Sequence, residues 1–316
     1  WTLRKHAGDA LAVLGDVIAH PSFPGEELER VRKELSTRLL QEKDQPNAIS
    51  SRATAKVLYG EKHPYGHMDL GSEDFLRSVT RADVERFYRE AWRPEASTLI
   101  VAGDTTPDEA QAMVEKALGS WSKGTSPGAP AALPEPREPA SRTIYLVDKP
   151  GAAQSVLVLA EVGIPRSSAD YFPALVLNAA FGGMFSSRLN LNLREDKGYT
   201  YGARSAWSFR KGAGPITATA PVQTKVTKEA LAEMLRELDE IRGKRPLDAK
   251  ELEFAKGYLV RQFPQRFETP QQIAERYREV VLYGLPPDFF NGWVEKVRAV
   301  TVEDTARVAR ERFRPE

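Results

Sequence analysis

Glu27 and Glu34 stand seven positions apart in a run of charged residues, Glu27-Leu28-Glu29-Arg30-Val31-Arg32-Lys33-Glu34-Leu35. Carboxylates move protons and ligate metal ions. Seven residues make two helical turns, so in a helix both side chains leave from one face. The alternative reading is a solvated face of a charged helix, with Glu27 interacting favourably with the helix N-terminus. Arg194 offers a guanidinium and Tyr201 a phenol. For Arg194 the alternative is an ion pair with a neighbouring carboxylate, and for Tyr201 it is packing beside Trp207 or Phe209. His63 and His67 have a spacing that suits a metal on a helix, but Pro64 and Gly66 lie between them and predict a loop. Gly182-Gly183 reads as a helix C-terminus, because the Walker spacing and its Lys are missing.

The elements that position these residues follow from periodicity. Ala10 to Ile18 carries an apolar stripe at helical spacing that stops before Pro21. Helices are predicted from Glu26 to Gln41, from Ala48 to Leu58 and from Pro107 to Leu118. Thr80 caps a helix running to Trp92, with Asp83 as its capping-box partner. Ser97 to Ala102 reads as a buried strand. Ser122 to Ser141 holds five prolines among Ala, Gly and Ser, the composition of an extended linker. Beyond it, Thr143 to Val147 and Ser155 to Leu159 read as strands. Ala169 to Phe181 and Ser187 to Leu193 read as helices. Thr200 to Phe209 and Pro215 to Ala220 form a hairpin signal. Helices return from Lys225 to Arg242, Ala249 to Arg261, Gln271 to Leu282, Asp288 to Val297 and Thr301 to Phe313. Strands followed by helices predict an α+β fold, with helices packed on one face of a largely antiparallel sheet.

The chain also repeats itself once. Val79-Thr80-Arg81-Ala82-Asp83 through Arg93-Pro94-Glu95 returns as Val300-Thr301-Val302-Glu303-Asp304 through Arg314-Pro315-Glu316. Glu27-Leu28-Glu29 returns as Glu251-Leu252-Glu253, and Val57-Leu58-Tyr59-Gly60 as Val281-Leu282-Tyr283-Gly284. So long a period points to two duplicated domains. The expected organisation is residues 1–121 as the later part of a first domain, 122–141 as a Pro-rich linker and 142–316 as a second domain. Copy two begins well before its repeated helices, near Arg142, so copy one reads as clipped at its front. Copy two in turn reads as short of its last strand. Within the repeat, Glu27 keeps its acid in Glu251, whereas Glu34 is matched by Tyr258.

Composition narrows the partners. In 316 residues, 45 Lys and Arg balance 44 Asp and Glu, a net charge of +1. That balance gives no sign of nucleic acid or of an anionic membrane as partner. No apolar run reaches the roughly 18 residues of a membrane span. Cys is absent, which removes disulfides and thiolate metal sites and is compatible with either bacterial periplasm or cytoplasm.

Pro21-Ser22-Phe23-Pro24, Glu27 to Leu35, Leu58-Tyr59-Gly60 with His63-Pro64-Tyr65-Gly66, and Leu193-Arg194-Glu195-Asp196-Lys197-Gly198-Tyr199-Thr200-Tyr201-Gly202 together resemble the M16 (pitrilysin/insulinase) zinc metallopeptidase family, in its bacterial two-domain type. The resemblance covers nearly the whole chain. It implies duplicated α+β domains of the LuxS/MPP-like metallohydrolase type that close around a peptide substrate. It implies that Glu34 matches the third zinc ligand and that Glu27 matches the acid one heptad earlier that supports the catalytic site. It implies that Arg194 and Tyr201 bind the substrate backbone.

The chain departs from the family in one respect. The family's active half carries His-x-x-Glu-His, and this sequence has none; its histidines are His6, His20, His63 and His67. A catalytic zinc takes three protein ligands and an open water position, and one carboxylate cannot hold it. The reading is therefore part of a zinc metalloendopeptidase that is not catalytically complete as this chain. The rivals are a non-catalytic M16-like subunit that lends Arg194 and Tyr201 to a catalytic partner, as a homo- or heterodimer with another M16 chain, and a structural assembly subunit.

Overall fold

A computed structural model describes residues 1–121, 132–136 and 141–314. The Pro-rich stretch 122–141 and the last two residues of the second repeat lie largely outside the described residues. Two compact units are present, and they interleave along the chain. The first comprises Trp1–Gln41, Leu70–Ala132 and Arg266–Val281; the second comprises Glu42–Asp69, Leu133–Gln265 and Leu282–Glu316.

The first unit is helical. It holds α1 (Ala7–Ala19), α2 (Gly25–Glu42, whose last residue falls in the second unit), α4 (Glu73–Ser78), α5 (Arg81–Ala91) and α6 (Pro107–Leu118). Most of α11 (Pro270–Tyr283) belongs here too. Gly15 lets α1 meet α6: a Cβ at that position would fall 2.2 Å from the Ala117 carbonyl oxygen. Arg32 ties α2 to the end of α4, donating to the carbonyls of Leu76 and Val79. The predicted capping box is present, and the Thr80 hydroxyl, the Thr80 amide and Arg86 together hold the Asp83 carboxyl down at about 2.

The second unit carries the sheet. Strands β1 (Gln154–Val162), β2 (Arg204–Trp207) and β3 (Pro215–Gln223) pair antiparallel in the order β1-β3-β2. The register sets Leu157 opposite Ala220 and Trp207 opposite Ile216. Along β3, Ile216, Ala218, Ala220 and Val222 point inward at period two. They meet α7 (Tyr171–Asn178), α9 (Thr227–Asp239), α10 (Ala249–Gln262), α12 (Trp293–Ala299) and α13 (Val302–Arg312), whose Leu177, Met234, Leu259, Trp293 and Val308 fill one core. α7 runs on as a π-helical turn, Ala179–Gly183, and α8 (Arg188–Asn190) as another, Leu191–Asp196. α3 (Pro46–Tyr59) lays Leu58 and Tyr59 against Val162 and Ala160 of β1.

This is the α+β arrangement predicted, with an antiparallel sheet and helices against it. The duplication is visible in the elements. α3 and α11 are both 14 residues, begin at Pro and end at Tyr, and are followed by Gly60 and Gly284 at positive φ. α5 and α13 are both 11 residues and share the Thr–Asp capping box. Two predicted strands are not strands. Ser97 to Ala102 has no ladder partner among the described residues, and Leu99 and Val101 are exposed. Thr143 to Val147 is likewise unpaired, with Ile144, Tyr145, Leu146 and Val147 all exposed. β-branched and apolar residues fit a pleated surface, but a strand exists only where an edge accepts its backbone. The helix expected from Asp288 is regular only from Trp293.

Candidate functional site

In the first unit, α2 presents Glu27 and Glu34 on one face, as their spacing requires. Arg30 stands between them: its Nε donates to Glu27 at 2.7 Å and its Nη1 to Glu34 at 3.4 Å. Arg38 donates to the other oxygen of Glu34 at 2.7 Å. Arg30, Lys33, Glu34, Thr37, Arg38 and Gln41 line an open depression along this helix. All these ion pairs are exposed, so they hold geometry with little net stability.

The second copy treats the equivalent positions differently. Glu251 is bound by the buried Arg188, Nε to Oε1 at 2.7 Å and Nη2 to Oε2 at 2.5 Å. Tyr258, the counterpart of Glu34, packs partly buried against the core. The copy-two face is thus committed to packing, whereas the copy-one face keeps two solvent-reaching acids.

In the second unit, Arg194 sits in the π-helical turn that follows α8. Its guanidinium lies over the Phe185 ring, 4.3 Å from the centroid, and its described ion pair is with adjacent Glu195 at 3.5 Å. Both the family role and the ion-pair alternative remain compatible with that setting. Tyr201 does not pack beside Trp207 or Phe209. It is 92% exposed, at the apex of a turn ahead of β2. The reason lies in the Thr200 side chain: its Oγ1 accepts from the Gly202 amide at 3.1 Å and donates to the Pro221 carbonyl at 2.5 Å, folding the turn outward.

The remaining sequence candidates are structural. His63 caps a short 3-10 turn, and its Nδ1 accepts from the Tyr65 amide at 2.9 Å. Nε2 therefore carries the proton and donates to the Pro134 carbonyl at 2.9 Å. Gly182-Gly183 closes the π-helical turn that ends at Gly183, as predicted, and Gly182 also allows close approach to β2: a Cβ there would lie 2.4 Å from the Ser205 nitrogen. Arg30 and Arg38 were not singled out from sequence, although their helical spacing from Glu27 and Glu34 was a usable signal. Phe185 gave no such signal, because its role depends on a turn.

The peptidase M16 inactive domain matches residues 78–259, more than half of the chain. The chain belongs to the peptidase M16 family. It is 27% identical over 98% of its length to an uncharacterized zinc protease YmxG of Bacillus subtilis, covering 74% of that M16-like relative. It is 20% identical over 96% of its length to a protein of Helicobacter pylori named a non-peptidase homolog, covering 68% of it. It spans about half the length of mycobacterial relatives also named zinc proteases, 47% for that of Mycobacterium leprae. Among solved structures it superposes on a peptidase M16 inactive domain from Pseudomonas fluorescens with a TM-score of 0.86 at 25% identity, covering 96% of this chain and 71% of that one.

Zinc is in the names of the Bacillus subtilis and Mycobacterium leprae relatives, and the described residues of this chain do not by themselves form a complete site for it. Both Glu34 oxygens face arginines. No group of three His, Cys, Asp or Glu among the described residues is placed to hold a metal ion. Among the same residues, no helix is long and apolar enough to cross a membrane.

Proposed function

We propose that this chain is part of a zinc-dependent M16-like metalloendopeptidase that hydrolyses peptides, and that it is inactive by itself. Glu34 is its contribution to the metal, Glu27 the supporting acid, and Arg194 and Tyr201 its contribution to holding the peptide. The observation that carries this reading is the contrast between the two copies. Copy one keeps Glu34 solvent-facing one heptad after Glu27, while copy two packs the equivalent position, Tyr258, partly buried against its core. The remaining ligands come from a His-x-x-Glu-His segment that this sequence does not contain.

Chemistry from this chain's own side chains is confined to binding. Arg194 donates to peptide carbonyls from a ring-supported position, and Tyr201 offers a phenol to the same backbone. β2, which begins three residues after Tyr201, is an edge strand among the described residues, and an extended peptide can add to such an edge. The test is zinc content and peptide cleavage by the full-length protein. A zinc-free, inactive full-length protein would sink the reading.

A second reading is favoured by two findings: the matched family is described as inactive, and the Helicobacter pylori relative is named a non-peptidase homolog. In that reading the chain is a non-catalytic subunit that lends Arg194 and Tyr201 to a catalytic M16 partner. Co-purification with a second M16 chain, with activity only in the mixture, distinguishes it.

A further inference from the structure

The amide of Asn190 is 4% exposed and uses both of its ends. Nδ2 donates to the Phe185 carbonyl at 2.6 Å, and Oδ1 accepts from the Ala203 amide at 3.1 Å. These two backbone groups belong to separate segments. Phe185 lies in the turn before α8, and its ring supports the Arg194 guanidinium. Ala203 ends the turn that presents Tyr201, whose other side Thr200 fixes to β3. One buried side chain therefore joins the shelf under Arg194 to the turn that carries Tyr201.

We propose that Asn190 is a positioning residue that sets Arg194 and Tyr201 in register for one peptide backbone, with Phe185 as the intermediate through which it acts on Arg194. This rests on the reading that Arg194 and Tyr201 bind substrate. Three physical points carry it. Only a side chain with a donor and an acceptor at this reach can make both bonds; Asp loses the donor and Ala loses both. Tyr201 is exposed on a backbone fixed on both sides, so only its two side-chain torsions are ordered when it binds a ligand. Arg194 is aimed by a ring and by one Nε ion pair with Glu195 rather than by a bidentate acid, which leaves its planar face supported and its two Nη groups for other partners.

The test measures binding of fluorescein-labelled tryptic peptides of casein to the full-length protein by anisotropy, with cleavage kinetics alongside. Tyr201→Ala is measured first; if it leaves peptide binding unchanged, the substrate-binding reading itself fails. Given a loss there, Asn190→Ala is expected to weaken binding about tenfold, the consequence of losing two buried hydrogen bonds. In the cleavage assay its effect falls on KM rather than kcat. Phe185→Ala changes a 68% exposed position, leaves the core intact, and is expected to weaken binding severalfold through the lost support of Arg194. Adding Asn190→Ala to the Phe185→Ala, Tyr201→Ala pair costs nothing further in binding. Independent, additive losses, or a folded Asn190→Ala protein that binds normally, overturn the proposal. If Asn190→Ala does not fold, Phe185→Ala decides: unchanged peptide binding overturns it.

Discussion

Arg188 holds Glu251 with two charge-assisted hydrogen bonds while its remaining donors reach the carbonyls of Arg245 and Pro246. All three of its nitrogens donate, and the side chain is buried. Removing it leaves a partly buried carboxylate with only the Asp248 amide, and takes the guanidinium donors from two carbonyls. Arg188→Ala should cost about 3–5 kcal/mol in urea unfolding. Arg188→Met combined with Glu251→Leu removes the stranded carboxylate and should recover about 1–3 kcal/mol of that loss, while the two carbonyls and the capping box that Glu251 completes with Asp248 stay unserved. A double variant as unstable as Arg188→Ala would contradict this.

The same pair predicts an acid limb. Burial pushes the Glu251 carboxyl up, but the Arg188 hydrogen bonds and the Asp248 amide outweigh it, and the net shift is downward. Its contribution is complete above the unfolded value of about 4.3 and is lost as pH falls through the lower folded value. Glu251→Gln should therefore cost more stability at pH 7 than at the acid end of that limb, and melting temperatures across the range read this directly.

Glu161 on β1 has the opposite sign. Burial raises its carboxyl above the ordinary range, despite bonds of 3.1 Å from the Arg314 amide to both oxygens and the nearby Arg314 and Arg242 charges. Its contribution is complete below the unfolded value of about 4.3 and declines as pH rises through the raised folded value. Glu161→Gln keeps an acceptor for the amide and removes the buried charge. Relative to the parent, it should gain in melting temperature between pH 4 and pH 7. A variant that loses ground over that interval would refute the assignment.

His63 joins the Tyr65 amide to the Pro134 carbonyl through its two ring nitrogens. Its ring also packs against those of Tyr59 and Tyr65. His63→Ala should cost about 1–3 kcal/mol, from two backbone groups left without a partner. Hydrogen exchange at the Tyr65 amide should accelerate, while exchange in β3 follows only the global loss. An unchanged Tyr65 amide would show that the ring is not its partner in solution.

Local signals explain what was legible in the sequence. Thr80 and Asp83 announced a capping box because both bonds are made within four residues. α6 was bounded by Pro107 at its first turn and Gly119 after its last. The repeat announced α3 and α11 as twins. Ser97 to Ala102 and Thr143 to Val147 misled because strand propensity says nothing of whether an edge is present to receive the strand. In the site, Glu27 and Glu34 were legible as one face, since helical geometry alone decides that. The exposure of Tyr201 was not legible: it depends on Thr200 reaching Pro221, a residue of a different strand. Asn190 was hidden for the same reason, since both of its partners are backbone groups brought near by tertiary folding.

The central claim is that Glu34 is a zinc ligand in the intact protein. Zinc per chain in the full-length protein, measured by mass spectrometry of the metal before and after Glu34→Gln, tests it most directly. About one zinc per chain is expected in the parent, and its loss in a Glu34→Gln protein that still folds, because the Glu34 ion pairs are exposed. A parent without zinc, or a Glu34→Gln protein that keeps it, would contradict the account.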